Sequence, residues 1–528
     1  MSRRPVVDLR AAAAAVPDGA CVTLGGFQLN RAPMALLHEL VRQRRRDLRV
    51  VTPPNPIALD LLVGAGLLEE AESGFLGFQY EGGFVTAPNA RRAIERGALR
   101  YRERDVYEIV QALRAAAFGI PFLPAPGGEA SDYRRVNATP TIPGPDGAAM
   151  LVAPAIRPDL LLVHAQQADG DGNLLLTDPY AEDLQARAAG RVVATAERAV
   201  DRVDRPTIPG SAVEAVAIVP GGAFPTSCRG FYPHGAGHLD EFVAAGSEGT
   251  FGGYLERFVI GVEDHAGFLQ AAGGPVKRPG GRRAGASAGR TAAADRLVVA
   301  LARTIREGEV VATGVASALP MLAIAVARRT CAPRLTYINC VGAVDPENDA
   351  ARPTSVDPRL LDRCRATVNL PDLFDLARRG GIDRMFFGAA QVDAAARLNL
   401  TCIGDYAKPR VKLPGPAGSS SMRPFVRGVV IVVPRHAPRT LVERVDFVTA
   451  AASERNRETL VVSDLGALAL RGDRLEPEFR HAGVAEDALR RNTGFPLAAG
   501  IPEAPAPTPE ERRALEGLDP EGLRRMWV

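Results

Sequence analysis

The sequence predicts two α/β domains in tandem, each built on an open, mostly parallel sheet. The main observation is an internal repeat, because the segments that begin at Asp18 and at Glu307 both read as strand, glycine turn, helix and strand. In each copy the turn glycine, Gly25 or Gly314, follows the acidic residue by seven positions. Two strands joined by a crossover helix form a parallel βαβ unit. Two related halves in one chain predict a ligand site at their junction.

The length of the chain supports the same division. At 528 residues it exceeds what one hydrophobic core normally fills, so two domains are expected. Residues 271–293 are rich in Gly, Ala, Pro and Arg and show no apolar periodicity, which is typical of a linker. We therefore predict a first domain over residues 1–270 and a second over residues 294–528.

Further apolar runs continue the strand pattern in both halves. They comprise Asp159–His164, Arg191–Thr195 and residues 213–220 in the first half, and Arg384–Gly388, Gly428–Val433 and Leu460–Asp464 in the second. Helical stretches separate these runs. Alternating strands and helices favour parallel sheets that are covered by helices.

Composition excludes several classes of partner. A net charge of +3 gives no electrostatic reason to expect nucleic acid. With 46% hydrophobic and 24% charged residues, the chain resembles an ordinary soluble globular protein. The longest uncharged run, residues 310–327, is interrupted by Thr313, Gly314 and Pro320, so we predict strand, loop and helix there and no membrane partner.

The cysteines indicate a reducing compartment. They are scattered, without a C-x-x-C pair or zinc-ligand spacing, so we expect a cytoplasmic protein and no metal. At the N-terminus, Asp8 and Arg10 interrupt any apolar stretch, which argues against a signal peptide.

Short motifs occur in a consistent order along both halves. The first half contains Gly25-Gly26-Phe27 followed by Pro33, and then residues 121–124, 168–173 and 220–227. The second half contains residues 388–393, 404–405, 412–415, 445–449 and 463–466. In this order the motifs resemble a class I coenzyme A-transferase of the glutaconate type, with α and β subunits fused in one chain. The resemblance implies two homologous, open parallel-sheet CoA-transferase-like domains in tandem, CoA as part of the substrate rather than a prosthetic group, and a homodimer.

The resemblance also implies a site between the first glycine turn and the loop at residues 337–345. The candidate residues for binding CoA or substrate are Gly25, Gly26, Phe27, Asn339, Gly342, Gln391 and Gly415. A glycine turn before a helix lets backbone N–H groups approach an anion, and the helix dipole favours negative charge there. The alternative is that Gly25 and Gly26 only permit a tight turn.

The expected nucleophile is missing. In the family that the chain resembles, a glutamate near the end of a β-subunit strand attacks the thioester. The matching stretch, Tyr337–Ala343, contains no glutamate. Glu347 lies beyond it in an acidic loop, where it is either a substitute nucleophile or a solvated acid.

The chain is also similar to the CoA-dependent ring-cleaving hydrolases of steroid catabolism, which lack that glutamate. Their working carboxylate corresponds to the region around Glu103–Glu108, where Glu108 becomes the candidate after a shift of two residues. Glu81, on another glycine turn, is a further candidate. A buried carboxylate there would activate water because desolvation raises its pKa, whereas the alternative is an acid that only stabilises a helix start.

Three functions follow from these observations. The predicted one is an enzyme that moves CoA between an acyl-CoA thioester and a carboxylic acid. The alternatives are a hydrolase that acts on the thioester or opens a ring, with water activated by an acid of the N-terminal half, and a non-catalytic acyl-CoA-binding protein. All three share one fold, so the fold does not choose among them.

Overall fold

A computed structural model describes residues 5–145, 147–275, 288–347 and 350–528. Most of the predicted linker, residues 276–287, lies outside these ranges. Residues 288–293, which the sequence also assigns to the linker, form the start of a helix. The domain boundaries themselves stay a prediction.

The first half is built on a parallel sheet. The strands of the first half are β1 (Cys21–Leu24), β2 (Leu48–Thr52), β3 (Leu68–Ser73), β4 (Gly77–Tyr80), β5 (Gly83–Thr86), β6 (Arg100–Glu103), β7 (Phe122–Pro124), β8 (Thr141–Pro143), β9 (Ala149–Pro154), β10 (Leu160–Ala168), β11 (Leu174–Leu175), β12 (Val192–Ala199) and β13 (Val213–Ile218). The sheet order is β13-β12-β10-β1-β2-β3-β6, all parallel, and β11 pairs antiparallel with β10. Strands β4 and β5 form a separate hairpin.

The second half is built on a sheet with a parallel centre. The strands of the second half are β14 (Val310–Thr313), β15 (Thr336–Ile338), β16 (Ala343–Val344), β17 (Ala366–Thr367), β18 (Arg384–Gly388), β19 (Gln391–Asp393), β20 (Leu398–Asn399), β21 (Cys402–Ile403), β22 (Val411–Lys412), β23 (Gly428–Val433), β24 (Leu441–Val442), β25 (Glu458–Ser463), β26 (Gly466–Arg471) and β27 (Arg474–Arg480). The sheet order is β17-β16-β15-β14-β18-β23-β25-β26-β27. The five central strands run parallel, whereas β16, β17, β26 and β27 pair antiparallel at the edges.

Helices cover both sheets. They are α1 (Leu9–Ala14), α2 (Met34–Arg42), α3 (Pro56–Gly64), α4 (Pro88–Glu95), α5 (Val106–Ala117), α6 (Tyr133–Val136), α7 (Glu182–Ala189), α8 (Ala236–Glu248), α9 (Phe251–Leu255), α10 (His265–Ala271), α11 (Ala288–Arg303), α12 (Ala318–Arg329), α13 (Leu370–Arg378), α14 (Ser419–Met422), α15 (Glu486–Arg491) and α16 (Pro509–Leu518). In the parts of the chain that the structure describes, none of these helices has the length and apolar character needed to cross a bilayer.

The internal repeat is visible in the topology. Strand β1 lies between β10 and β2, and its counterpart β14 lies between β18 and β15, all in parallel. Central strands such as β23 are buried along their whole length, which is why they read as continuous apolar runs. The prediction of two mostly parallel α/β halves is confirmed.

The two halves share a backbone seam. Residues 414–417 of the second half run along the first half, where Leu76 N donates to Pro414 O at 2.6 Å and Ala417 N donates to Gly74 O at 2.8 Å. Asp105 caps α5 and accepts hydrogen bonds from the hydroxyls of Ser420 and Ser421, both at 2.5 Å. These bonds fix the first half against residues 414–421 of the second half.

Candidate active site

A cavity of about 760 Å³ lies between the two halves. From the first half it is lined mainly by Phe27, Pro54, Phe75, Gln79 and Phe84, and from the second mainly by residues 313–317, Cys340 and residues 385–390, 416–419 and 432–435. Strands β14, β18 and β23 all end in this lining, so the cavity occupies the carboxyl edge of the second sheet. Ligands of open α/β sheets bind at that edge.

The lining is mostly apolar. Among the described residues that form it, none is Asp or Glu, and Arg435, an exposed side chain, is the one charged group. Its volume falls in the range of small-molecule sites, roughly 300–1,000 Å³. The cavity therefore fits a largely apolar ligand, and the described residues of its lining supply no carboxylate nucleophile.

The two glycine turns of the repeat have different roles. In the second copy, residues Gly314–Ser317 lie between β14 and α12 and line the cavity. In the first copy, Gly25 N donates to Leu162 O at 2.8 Å and Gly26 N donates to Glu182 Oε1 at 3.0 Å. Of the predicted residues Gly25, Gly26 and Phe27, Phe27 alone lines the cavity. Its ring stacks on the ring of Tyr180, with 5.0 Å between the ring centroids.

Glu182 supplies the negative charge at the first turn. Its carboxylate accepts from Gly26 N and from Tyr180 N, the latter at 2.6 Å, and pairs with Arg31 at 2.6 Å. Burial by itself would raise the pKa of Glu182, but the Arg31 guanidinium and the backbone donors lower it below its ordinary value. A carboxylate of the protein thus occupies the place that the sequence offers to a ligand anion.

The other predicted binding residues shape loops beside the cavity. Asn339 Nδ2 donates to Tyr337 Oη at 2.8 Å, and Gln391 Oε1 accepts from Asn399 Nδ2 at 2.8 Å. A Cβ atom on Gly342, where φ is +92°, would lie 2.0 Å from Val368 O. On Gly415 a Cβ atom would lie 2.5 Å from Glu103 Oε1. None of these four predicted residues lines the cavity.

The three candidate acids also lie outside the cavity lining. Burial raises the pKa of Glu108, which pairs with Arg104 at 2.8 Å. Glu81 lies 2.7 Å from His234 Nε2, and although burial would raise its pKa, the hydrogen bond and charge of His234 lower it overall. Glu347 is half-exposed and pairs with a surface arginine at 2.8 Å.

Cys340 is a functional candidate that the sequence reasoning missed. It is the one residue of Tyr337–Ala343 that lines the cavity, in the stretch where the glutamate nucleophile is expected. Burial raises the pKa of its thiol to about 12, so the thiol is neutral at pH 7. Cys340 lies in the stretch where the family has its glutamate, but a pattern that requires a carboxylate does not select a cysteine.

A second polar cluster, buried in the first half, consists of His164, Glu197 and Cys228, whose possible ligand atoms lie within 4.8 Å of one another. His164 Nε2 is already 2.7 Å from Glu197 Oε1, and its Nδ1 is 2.7 Å from Thr195 Oγ1. Glu197 also accepts from Gly221 N at 2.8 Å. These groups satisfy one another and hold the loop after β13.

Comparison with known proteins decides the family. The family model described as Coenzyme A transferase matches residues 6–218 and 294–478. The chain belongs to the Coenzyme A transferase family. The prediction of a CoA-transferase-like enzyme with fused α- and β-type halves is confirmed at the level of the family.

Two relatives each match a little under half of this chain. One of the two subunits of 3-oxoadipate CoA-transferase from Pseudomonas knackmussii is 32% identical over 269 residues, which is 48% of this chain and 92% of that subunit. The second subunit of the same enzyme is 31% identical over 242 residues, which is 43% of this chain and 92% of that subunit. Each of these two subunits of one enzyme is therefore similar to a stretch of a little under half of this chain.

Two solved structures are also similar. A variant of the decarboxylase AibA/AibB is 42% identical, covers 48% of this chain and 98% of its own, and gives a TM-score of 0.47. An acyl-CoA transferase from Escherichia coli O157:H7, solved as a thioester complex with CoA, is 16% identical, covers 96% of both chains and gives a TM-score of 0.70. The second likeness concerns the fold of the whole chain.

Proposed function

We propose that this protein moves CoA between an acyl-CoA thioester and a carboxylic acid, and that the reaction takes place in the cavity between its halves. The observation that carries the proposal is the position of this apolar cavity between two halves that both match the family, at the strand ends of the second sheet. CoA enters as part of the substrate, with no prosthetic group. The exposed Arg435 at the cavity suits the carboxylate of the acceptor acid.

Because the described residues of the lining include no carboxylate, the proposed transfer proceeds without a covalent enzyme thioester. In this scheme the acceptor carboxylate attacks the thioester carbonyl carbon, the C–S bond breaks, and a mixed anhydride and CoA thiolate form. The thiolate then attacks the acceptor carbonyl of the anhydride, and the donor carboxylate leaves. The neutral thiol of Cys340, which donates to Ser355 O at 3.9 Å in the structure, turns to donate a hydrogen bond to the oxygen on which negative charge develops, and the apolar lining keeps water from the anhydride.

The test is CoA-ester exchange with butyryl-CoA or acetoacetyl-CoA, with and without acetate or succinate. We expect an acceptor CoA ester only when both substrates are present, initial-rate lines that intersect, and no CoA adduct on the intact protein by mass spectrometry. Parallel lines with an adduct would contradict the direct mechanism. Thiol release without acceptor would favour the hydrolase, and binding without any product would favour a non-catalytic protein.

A second candidate function is decarboxylation of an acyl-CoA that carries a second carboxylate. The observation that favours it is the neutral Cys340 thiol in an apolar lining. An apolar site destabilises a localised carboxylate. The C–C bond to that carboxylate breaks, CO₂ leaves, and the bonding electron pair passes into an enolate of the thioester. The thiol then donates its proton to carbon and regains one from water. CO₂ release from glutaconyl-CoA, without acceptor, would establish this reaction in place of transfer.

The cellular location and the oligomeric state of the enzyme are part of the same proposal. All six cysteines are free, which agrees with a reducing, cytoplasmic location. A homodimer of the fused chain would correspond to two copies of an α/β pair. Light scattering after gel filtration at micromolar concentration tests it, and a monomer mass would contradict it.

A further inference from the structure

The cavity lining includes two residues from outside the part of the chain that matches the family model. The second matched range ends at residue 478, whereas Met526 and Trp527 both line the cavity. Trp527 is also the single tryptophan of the chain. A wall residue that the family pattern does not cover is a candidate for a substrate preference particular to this protein.

Trp527 follows a short helical turn, Leu523–Met526, that is firmly anchored to the second half. Within this turn Arg524, which is 4% exposed, pairs with Asp295 of α11 at 2.6 Å and with Asp519 at 3.0 Å. Asp519 is 2% exposed and also accepts from two backbone N–H groups of the turn, at 2.7 and 2.9 Å. The backbone that carries Trp527 is therefore held in place by buried, paired charges.

The indole Nε1 of Trp527 is buried without a hydrogen-bond partner among the described residues, as are Gln79 Oε1 and Ser419 Oγ of the same lining. Unpaired buried polar groups lower stability, which is why native proteins pair nearly all of them. Phenylalanine would place an aromatic ring here without the unpaired N–H group. Departures of this kind are concentrated at functional sites. The tryptophan is therefore better explained by its place in the cavity wall than by a contribution to stability.

The chemistry of this wall fits the acyl group of a substrate rather than its CoA part. The indole ring and the Met526 thioether together present apolar surface to the cavity. The phosphates and amides of CoA need charged or hydrogen-bonding partners, whereas an acyl chain needs only apolar surface. Removing a large side chain from such a wall leaves space that a longer chain can fill.

We infer that Trp527 is a specificity-determining residue, whose indole limits the size of the acyl group that the enzyme accepts. This inference rests on the proposed function, because it assumes that the acyl group lies in the cavity. Its consequence is that a smaller side chain at this position admits longer acyl chains.

The first test is the chain-length profile of the exchange reaction. With succinate as acceptor, kcat/KM is measured for butyryl-, hexanoyl- and octanoyl-CoA in the wild type, Trp527→Ala and Trp527→Phe. We expect Trp527→Ala to raise kcat/KM for octanoyl-CoA relative to butyryl-CoA by at least about tenfold, since each methylene group buried in the new space contributes about fourfold. Trp527→Phe keeps a ring in the wall, so it should keep most of the wild-type profile and be at least as heat-stable.

Leu523→Ala is the matched control. Leu523 lies in the same turn and is partly buried, but it does not line the cavity. Its replacement should leave the chain-length profile unchanged. A shift as large as that in Trp527→Ala would overturn the assignment, because the turn as a whole rather than the indole would then set the profile.

The second test uses the wild-type protein, so it does not depend on whether a variant folds. Because Trp527 is the single tryptophan, intrinsic tryptophan fluorescence reports on this wall alone. Saturation with butyryl-CoA or hexanoyl-CoA should change the emission more than saturation with CoA itself, with binding measured by calorimetry. Equal emission with CoA and with both esters would overturn the inference, because the acyl group would then not reach the indole.

A chain-length profile that is the same in the wild type and in folded Trp527→Ala would overturn the inference as well. Turnover of acyl-CoA would in that case leave the proposed function standing. Failure to bind or convert any of the esters would overturn the role of Trp527 and the proposed function together.

Discussion

Lys412 Nζ lies 2.6 Å from Glu103 Oε1, and this buried ion pair joins the two halves of the chain. The other Glu103 oxygen accepts from Tyr133 Oη at 2.8 Å, and Lys412 also donates to two backbone carbonyls, those of Thr401 and Leu413. Both charged side chains are thus hydrogen-bonded on several sides. The pair lies next to Gly415, on the seam that forms one wall of the cavity.

Removing one partner of this pair should destabilise the protein strongly. Lys412→Met leaves Glu103 buried without its cation, so we expect unfolding free energy to fall by about 3–5 kcal/mol. The double variant Glu103→Leu with Lys412→Met should recover most of that loss. Urea unfolding measures both changes. Glu347→Gln, which breaks an exposed pair, is the control and should cost less than about 1 kcal/mol. An equal effect in all three would contradict this account.

The thiol of Cys340 should be needed for activity. We expect Cys340→Ala to lower kcat by about 100-fold, because the donor to the developing negative charge is lost, while thermal stability changes little. Cys340→Ser should retain part of the activity, since a hydroxyl also donates. Cys402→Ala is a matched control: burial raises the pKa of Cys402 to about 12 as well, but this residue does not line the cavity. Wild-type rates in Cys340→Ala would remove the thiol from the mechanism.

Replacing the acid predicted for the hydrolase should leave exchange activity unchanged. Glu108 is paired with Arg104 and lies outside the cavity lining, so Glu108→Gln should keep kcat/KM within about twofold at temperatures where the variant is folded. Steady-state kinetics with acetoacetyl-CoA check this. A large loss of kcat in a folded variant would instead place this acid in the chemistry and favour hydrolysis.

Asp60 should make stability depend on pH. Burial raises its pKa from 3.8 to about 7, although Asn89 Nδ2 and Ala90 N both donate to it. Between these values the folded state binds the proton that the unfolded state has lost, so stability falls as pH rises from about 4 to about 7 and changes little above. The midpoint of urea unfolding across this range measures the slope. Asp60→Asn should flatten it, and an unchanged slope would assign it to other groups.

The sequence predicted the architecture because strand periodicity and glycine turns are local signals. Both βαβ copies are found where their acidic and glycine residues place them. The carboxylate that binds at the first glycine turn could not be predicted in this way, because Glu182 lies 156 residues beyond Gly26 in the chain. Cys340 was within the predicted stretch, but its exposure to the cavity depends on how the neighbouring loops pack. The unpaired state of Gln79 likewise exists only once two distant segments enclose it.

A cavity whose two walls belong to one covalent chain has a consequence for handling the enzyme. Separate subunits come apart when they are diluted, and a site between them is lost at low concentration. Here the two halves that form the cavity walls are joined by the backbone, so their effective concentration relative to each other is the same at every enzyme concentration. Specific activity should therefore stay constant down to nanomolar enzyme, unless it also depends on contacts between two copies of the chain.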